Sequence, residues 1–240
     1  MAETVSYIGK DLEAMSFAVN YHRWILDEFR SHLGQRLVEV GAGTGSFTEL
    51  LLEQKPQTLS AVEPSAMYDI LVENVARMQT KSSVKTYQAV FTQVAAQIKK
   101  THNPDSIIYV NVLEHVENDT AELAAVHDAL STDGRIFVFV PALPALYGNF
   151  DKEVGHFRRY RKAELETKCR QAGFRILKSS YFDLAGIVPW WIKYQLFKAS
   201  TLDHTTIELY DRFAVPVTRA IESVITPPVG KNLLLIASKA

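Results

Sequence analysis

LVEVGAGTGSFT, residues Leu37–Thr48, sets a short apolar run ahead of three glycines at alternate positions, then a helix-like start. Glycine carries no Cβ, so such a loop lets backbone N–H groups approach a ligand closely. Glycine turns between a strand and a helix hold nucleotides. Here Gly41, Gly43 and Gly45 give the spacing G-x-G-x-G. The dinucleotide fingerprint is G-x-G-x-x-G, and a P-loop ends in Gly-Lys-Ser/Thr; neither is present. Glu39 stands two residues before the first glycine. A carboxylate there repels a pyrophosphate and suits a cationic amino-acid group.

Outward from this loop, strands alternate with helices. Apolar runs predict strands at Arg36–Gly41, Thr58–Glu63, Val84–Ala89, Ser106–Val112, Arg135–Val140, Phe174–Tyr181 and Leu233–Ser238. Helical spacing predicts helices at Asp11–Arg30, Ser46–Gln54, Ser65–Met78, Phe91–Lys100 and Lys162–Ala172, the last closed by Gly173. Asp119 and Glu122 read as a capping box opening another helix. Five rounds of alternation imply a parallel sheet covered on both faces. One domain over 1–240 is expected, with an N-terminal helical cap at 1–33 and a helical insertion at 182–230 over an acceptor pocket.

The bulk properties exclude several classes. Formal net charge is −1 and the pI is near 6.7, which gives no electrostatic reason to expect nucleic acid. Cys169 is the only cysteine, so there is no disulfide framework and a reducing, cytoplasmic setting is expected. The first ten residues lack the apolar core of a signal peptide. The most apolar run, Ala185–Phe197, is short and broken by Pro189, Lys193 and Gln195, so stable membrane insertion is not expected.

VEVGAGTG resembles the first motif of class I S-adenosylmethionine-dependent methyltransferases, and IIYVNVLEHV resembles their fourth-strand motif. The resemblance runs from Arg36 to Phe174 and returns in the final strand. It implies a Rossmann-like α/β fold, a mostly parallel seven-stranded sheet in the order 3-2-1-4-5-7-6. It implies S-adenosyl-L-methionine as cofactor and S-adenosyl-L-homocysteine as product. Glu39 is then expected to serve the methionine ammonium, directly or through water, and Gly41, Ala42, Gly43 and Gly45 to form the cradle. Glu63 is expected to accept the ribose hydroxyls. Asn111 and Val112 would lie near the methionine portion, with Tyr21 beside the cofactor. Where the family often places an acid for the adenine amine, this chain has Val90-Phe91, so adenine would pack near Pro64, Met67 and Phe91.

The acceptor pocket is expected above the carboxyl ends of the strands, walled by segments rich in rings. Tyr7, Trp24, Tyr147, Phe150, His156, Tyr160, Tyr181 and Trp191 are the candidate contacts, suited to a flat apolar acceptor. YGNFDKEVGHFRRY, residues 147–160, resembles a bacterial subgroup that carries G-H-(F/Y)-R-R-Y after the fifth strand. Azapteridine N-methyltransferases of the toxoflavin type are similar to it. That implies a nitrogen, or oxygen, of a planar heteroaromatic secondary metabolite. A sugar or lipid-linked glycan, and a non-catalytic cofactor-binding regulator, are the alternatives. His115 and His156, with Tyr7, are the candidate bases. Carboxylate clusters of the kind that hold a catalytic metal are not evident, so no metal is expected. The partner is a small-molecule acceptor, and the protein a monomer or homodimer.

Overall fold

The computed structural model describes residues 18–198 and 204–240. Their elements run α1 (Val19–Arg30), β1 (Arg36–Val40), α2 (Ser46–Glu53), β2 (Thr58–Val62), α3 (Tyr68–Arg77), β3 (Ser83–Tyr87), α4 (Phe91–His102) and β4 (Ser106–Val110). After a 3₁₀ turn (Leu113–His115) come α5 (Asp119–Ala129), β5 (Arg135–Pro141), α6 (Asn149–Glu153), α7 (Lys162–Gln171) and β6 (Phe174–Phe182). The insertion follows as α8 (Ile187–Trp190), a π turn (Trp191–Leu196), α9 (His204–Leu209), a second π turn (Tyr210–Ala214) and α10 (Val215–Glu222), before β7 (Asn232–Lys239).

The sheet has seven strands in the order β3-β2-β1-β4-β5-β7-β6, as expected. β1 to β5 pair in parallel, and β7 runs antiparallel to both of its neighbours. Adjacent strand residues point to opposite faces. Val38, Ile107 and Ile136 therefore enter one core layer, with Phe91 and Ile98 of α4, Leu123 and Val126 of α5 and Leu165 of α7. Leu37, Ile108 and Phe137 enter the other, with Ile25, Leu26 and Phe29 of α1, Leu51 of α2 and Leu71 of α3. Burial on both faces is why these strands read as continuous apolar runs.

Among the boundaries that differ from expectation, two helix starts are informative. Asp119 and Glu122 do not form a capping box: Asn118 caps α5, its Oδ1 accepting from the Ala121 N–H at 3.0 Å. Tertiary partners recruit both acids instead. Asp119 pairs with Lys168 at 2.8 Å and Arg158 at 2.9 Å, and Glu122 accepts from the Tyr109 hydroxyl at 2.7 Å. The first predicted helix is described from Val19 onward; its residues before 18 lie outside the described ones. Ala18 offers α1 no side-chain cap. The Asp211 carboxylate, from the insertion, accepts from the Asn20 and Tyr21 N–H groups at 3.0 and 2.8 Å. The insertion thus finishes the first helix. At the start of the insertion Asp183 is fully buried, bridged to Lys231 at 2.9 Å and bonded by the hydroxyls of Tyr21 and Tyr210.

Candidate active site

The strand β1 ends in the glycine loop at the carboxyl edge of the sheet. Gly41, Gly43 and Gly45 all hold positive φ, at +72°, +56° and +93°. A Cβ at Gly41 would stand 2.3 Å from Val112 Cγ2, so the loop and the end of β4 can approach this closely only with glycine there. Glu63, at the end of β2, fastens the loop. Its carboxylate accepts from the Gly43 N–H at 2.7 Å and the Ser65 N–H at 2.9 Å, and it is buried.

Beside this loop opens a cavity lined by Glu39, Gly41, Ala42, Asn111, Phe150 and both candidate histidines, among others. Glu39 is buried and accepts from the Thr48 hydroxyl at 2.5 Å. Burial, with the Glu63 charge adding, outweighs that hydrogen bond and pushes its carboxyl up to about 8. A buried acid held near neutrality is prepared to receive a cation. Asn111, at φ +54°, turns the chain off β4 into the same space. Opposite them, burial pushes the His22 imidazole down to about 4.

The far wall is the 3₁₀ turn with the loop 147–160 docked on it. The Phe157 N–H donates to the Glu114 carbonyl at 2.9 Å, and the Tyr160 hydroxyl reaches the Leu113 carbonyl at 3.2 Å and Asp119 at 2.8 Å. Asp151 organises the loop from inside. It accepts from Gly148 N–H at 2.9 Å, from Arg159 Nε at 2.8 Å, and lies 2.8 Å from His156 Nδ1. Burial opposes its charge, yet these three bonds together hold its carboxyl below the usual range. The Arg159 guanidinium also stacks on Trp190, 4.8 Å from its ring centre. Asp151 and Arg159 are thus a buried pair rather than a surface salt-bridge cluster. The rings of His115 and His156 meet edge to face at 4.6 Å. Burial pushes His115 down to about 3, helped by the neighbouring His156.

Several expected contacts are elsewhere. Trp24 packs on Phe182 at 3.8 Å in the core, Phe91 lies edge-on to Tyr109 in the other core layer, and Tyr160 is wholly buried. Tyr181 packs against the core from β6. The Tyr147 hydroxyl donates to the His156 carbonyl at 2.7 Å, so it braces the loop. Trp191 is 48% exposed; its neighbour Trp190 takes the cavity position. Val112, Pro64 and Met67 do not line this cavity; Val112 instead meets Gly41, and the Met67 N–H donates to Ser65 Oγ at 3.2 Å. Tyr21 does line it, its hydroxyl donating to Asp183 and Asn232 at 3.1 and 3.0 Å. Tyr7 lies outside the described residues. Lys231 and Asn232 also line the cavity without having been expected, and no local pattern marks them; Glu114 and Arg159, which lie within the two quoted motifs, and Trp190 of the ring-rich insertion line it as well.

The family described as Methyltransferase domain matches residues 15–179, more than half of the chain. The chain belongs to that family. This methyltransferase shares its fold with a SAM-dependent methyltransferase from Archaeoglobus fulgidus, at 18% identity and a TM-score of 0.55 over 89% of this chain and 91% of that one. It is also similar to the N-methyltransferase NodS from Bradyrhizobium japonicum WM9 in complex with S-adenosylhomocysteine, at 13% identity, 0.59, and 93% and 87% coverage. Mycolic acid cyclopropane synthase CmaA1, complexed with the same product, matches at 15% identity, 0.62, and 89% and 82%. At these identities the likeness is one of fold. No curated protein sequence matches this methyltransferase. The glycine cradle that a Cβ would fill at Gly41 and the buried acid at Glu39 fit the expected cofactor, S-adenosyl-L-methionine.

Proposed function

We propose that this methyltransferase transfers the methyl group of S-adenosylmethionine to a nitrogen or oxygen of a small, planar, heteroaromatic metabolite. The observation that carries this is a cavity beside the glycine loop that sets rings, Phe150, Trp190 and Tyr21, beside fixed polar groups such as Asn111, Arg159 and Asn232. Rings facing a site together with placed donors and acceptors suit a flat ring system that carries heteroatoms. The bound cofactor supplies an electrophilic methyl carbon. The protein's own task is alignment at about 3 Å and exclusion of water. Glu39 would take the α-ammonium, and Glu63, whose oxygens can each accept further bonds, the ribose hydroxyls. His115 and His156, whose rings meet in the cavity wall, are placed to orient an acceptor or to take its proton. The likeness of the loop to G-H-(F/Y)-R-R-Y methyltransferases supports an acceptor of the azapteridine type. Incubation with methyl-labelled cofactor and a panel of azapteridines and related heterocycles tests the reading. Label in a ring nitrogen or oxygen supports it; no transfer to any of them, by protein that binds S-adenosylhomocysteine, rejects it.

A second reading, a lipid-linked glycan as acceptor, is favoured by the outer face of the insertion. Phe197, Phe213 and Val224 are 74%, 61% and 84% exposed, close in sequence to Lys193, Lys198, Arg212 and Arg219. Apolar residues with flanking cations suit an anionic membrane surface. No helix among the described residues is long and apolar enough to cross a membrane. Sedimentation with vesicles containing phosphatidylglycerol, and turnover that requires them, would support this reading; full activity on a soluble acceptor without vesicles would reject it.

A further inference from the structure

We propose that Glu114, His115 and His156 bind one divalent transition-metal ion, of the Zn²⁺ or Mn²⁺ type, in the wall of the acceptor cavity. Each offers one ligand atom, and the three atoms lie within 4.8 Å of one another. All three residues line the cavity. Glu114 Oε1 stands 3.8 Å from His156 Nε2. Two ligands on a tetrahedral ion with bonds of about 2.0 Å sit about 3.3 Å apart, so closing the set needs only a small movement.

The outer contacts have the form that metal-binding imidazoles show. A ligating histidine donates its second ring N–H to a carboxylate or a backbone carbonyl, which fixes its tautomer. His156 Nδ1 is 2.8 Å from Asp151 Oδ1, an acid anchored by Arg159 and the Gly148 N–H. With the proton on Nδ1, the bare Nε2 is the atom that faces Glu114. His115 is turned to the Gly155 carbonyl, just before His156 in the loop. Two carboxyl groups, of Asp151 and Glu114, stand close to one guanidinium, that of Arg159, which bonds to Asp151 and the Ala142 carbonyl and also interacts with Glu114. Two imidazoles with one carboxylate suit a borderline divalent ion and leave coordination positions open. Those positions would face the cavity and fix a polar group of the acceptor, a role that rests on the methyl-transfer reading; the binding of the ion does not.

The experiment uses the full chain, stripped with chelator and dialysed. Co²⁺ is titrated in and followed by its visible d–d absorption, and Zn²⁺ and Mn²⁺ by calorimetry. The expected result is one ion per chain. Glu114→Gln and His156→Ala should each weaken binding at least tenfold, and Asp151→Asn by about 10–100-fold through its hold on His156. His102→Ala, remote from the cavity, should leave binding unchanged. Circular dichroism confirms the fold of each variant, and near-isosteric Glu114→Gln decides the matter should His156→Ala fail to fold. No uptake by the wild type, or uptake that Glu114→Gln leaves intact, overturns the proposal. Either result leaves the methyl-transfer reading standing, because labelled transfer in the presence of chelator reports on that separately.

Discussion

At the scale of single residues, two buried titrating groups make opposite demands on pH. The Glu39 carboxyl is held at about 8, so at neutral pH it keeps a proton that the unfolded chain, near 4.5, has lost. Its contribution to stability is therefore full below about 4.5 and is lost as pH rises through 8. A cofactor ammonium placed against it would displace that proton. Calorimetry of S-adenosylhomocysteine binding at pH 7, in two buffers of different ionisation enthalpy, should give heats that differ by about one proton released. In Glu39→Gln that difference should vanish. His22 runs the other way. Its folded value of about 4 lies below the ordinary 6.5, so the unfolded chain binds the proton first. Stability from this group is full above about 6.5 and falls as pH drops toward 4, by about 3 kcal/mol in total. Urea unfolding at pH 7 and pH 4.5 should show a smaller fall for His22→Asn than for the wild type. Glu39 and the glycines were legible in the sequence because one short segment carries them. His22 was not, because nothing in its local pattern says that its side of α1 meets the cavity.

At the scale of elements, local propensity and tertiary capture compete. α5 opens on Asn118 because Asp119 and Glu122, each able to cap, are taken by Lys168 and Tyr109. α1 shows the converse, a helix whose own sequence supplies no cap and which borrows Asp211. Removing that acid leaves two N–H groups of the first turn without an acceptor and takes a negative charge from the positive end of the helix. Asp211→Ala should cost about 1–2 kcal/mol in urea unfolding, and Asp211→Asn less. Strands β1, β2, β4 and β5 were legible because two-sided burial makes their runs largely apolar. The ring inventory was legible only as an inventory. Trp24, Phe91 and Tyr160 are as aromatic as Phe150 and Trp190, and only the packing decides which of them face the cavity. The convergence of His156 on Glu114 was equally hidden, since it depends on how the loop after β5 folds back across the 3₁₀ turn.

At the scale of the whole molecule, the insertion and the sheet are separable in a testable way. Phe182 and Asn232, the last residue of β6 and the first of β7, are register partners. The segment between them leaves and returns at neighbouring points, and closing a shorter link there costs little entropy. A variant with Leu184–Val229 replaced by a short Asn-Gly turn would lose Asp211, Val215 and the Trp190 wall. It should be less stable by several kcal/mol, through lost burial and capping. It should still bind S-adenosylhomocysteine, as calorimetry would show, because Glu39, the glycines and Glu63 all lie outside the deleted piece. A paired strand end at each side of the inserted segment works like a socket: what is plugged in can be swapped without disturbing the strands that carry the glycine loop.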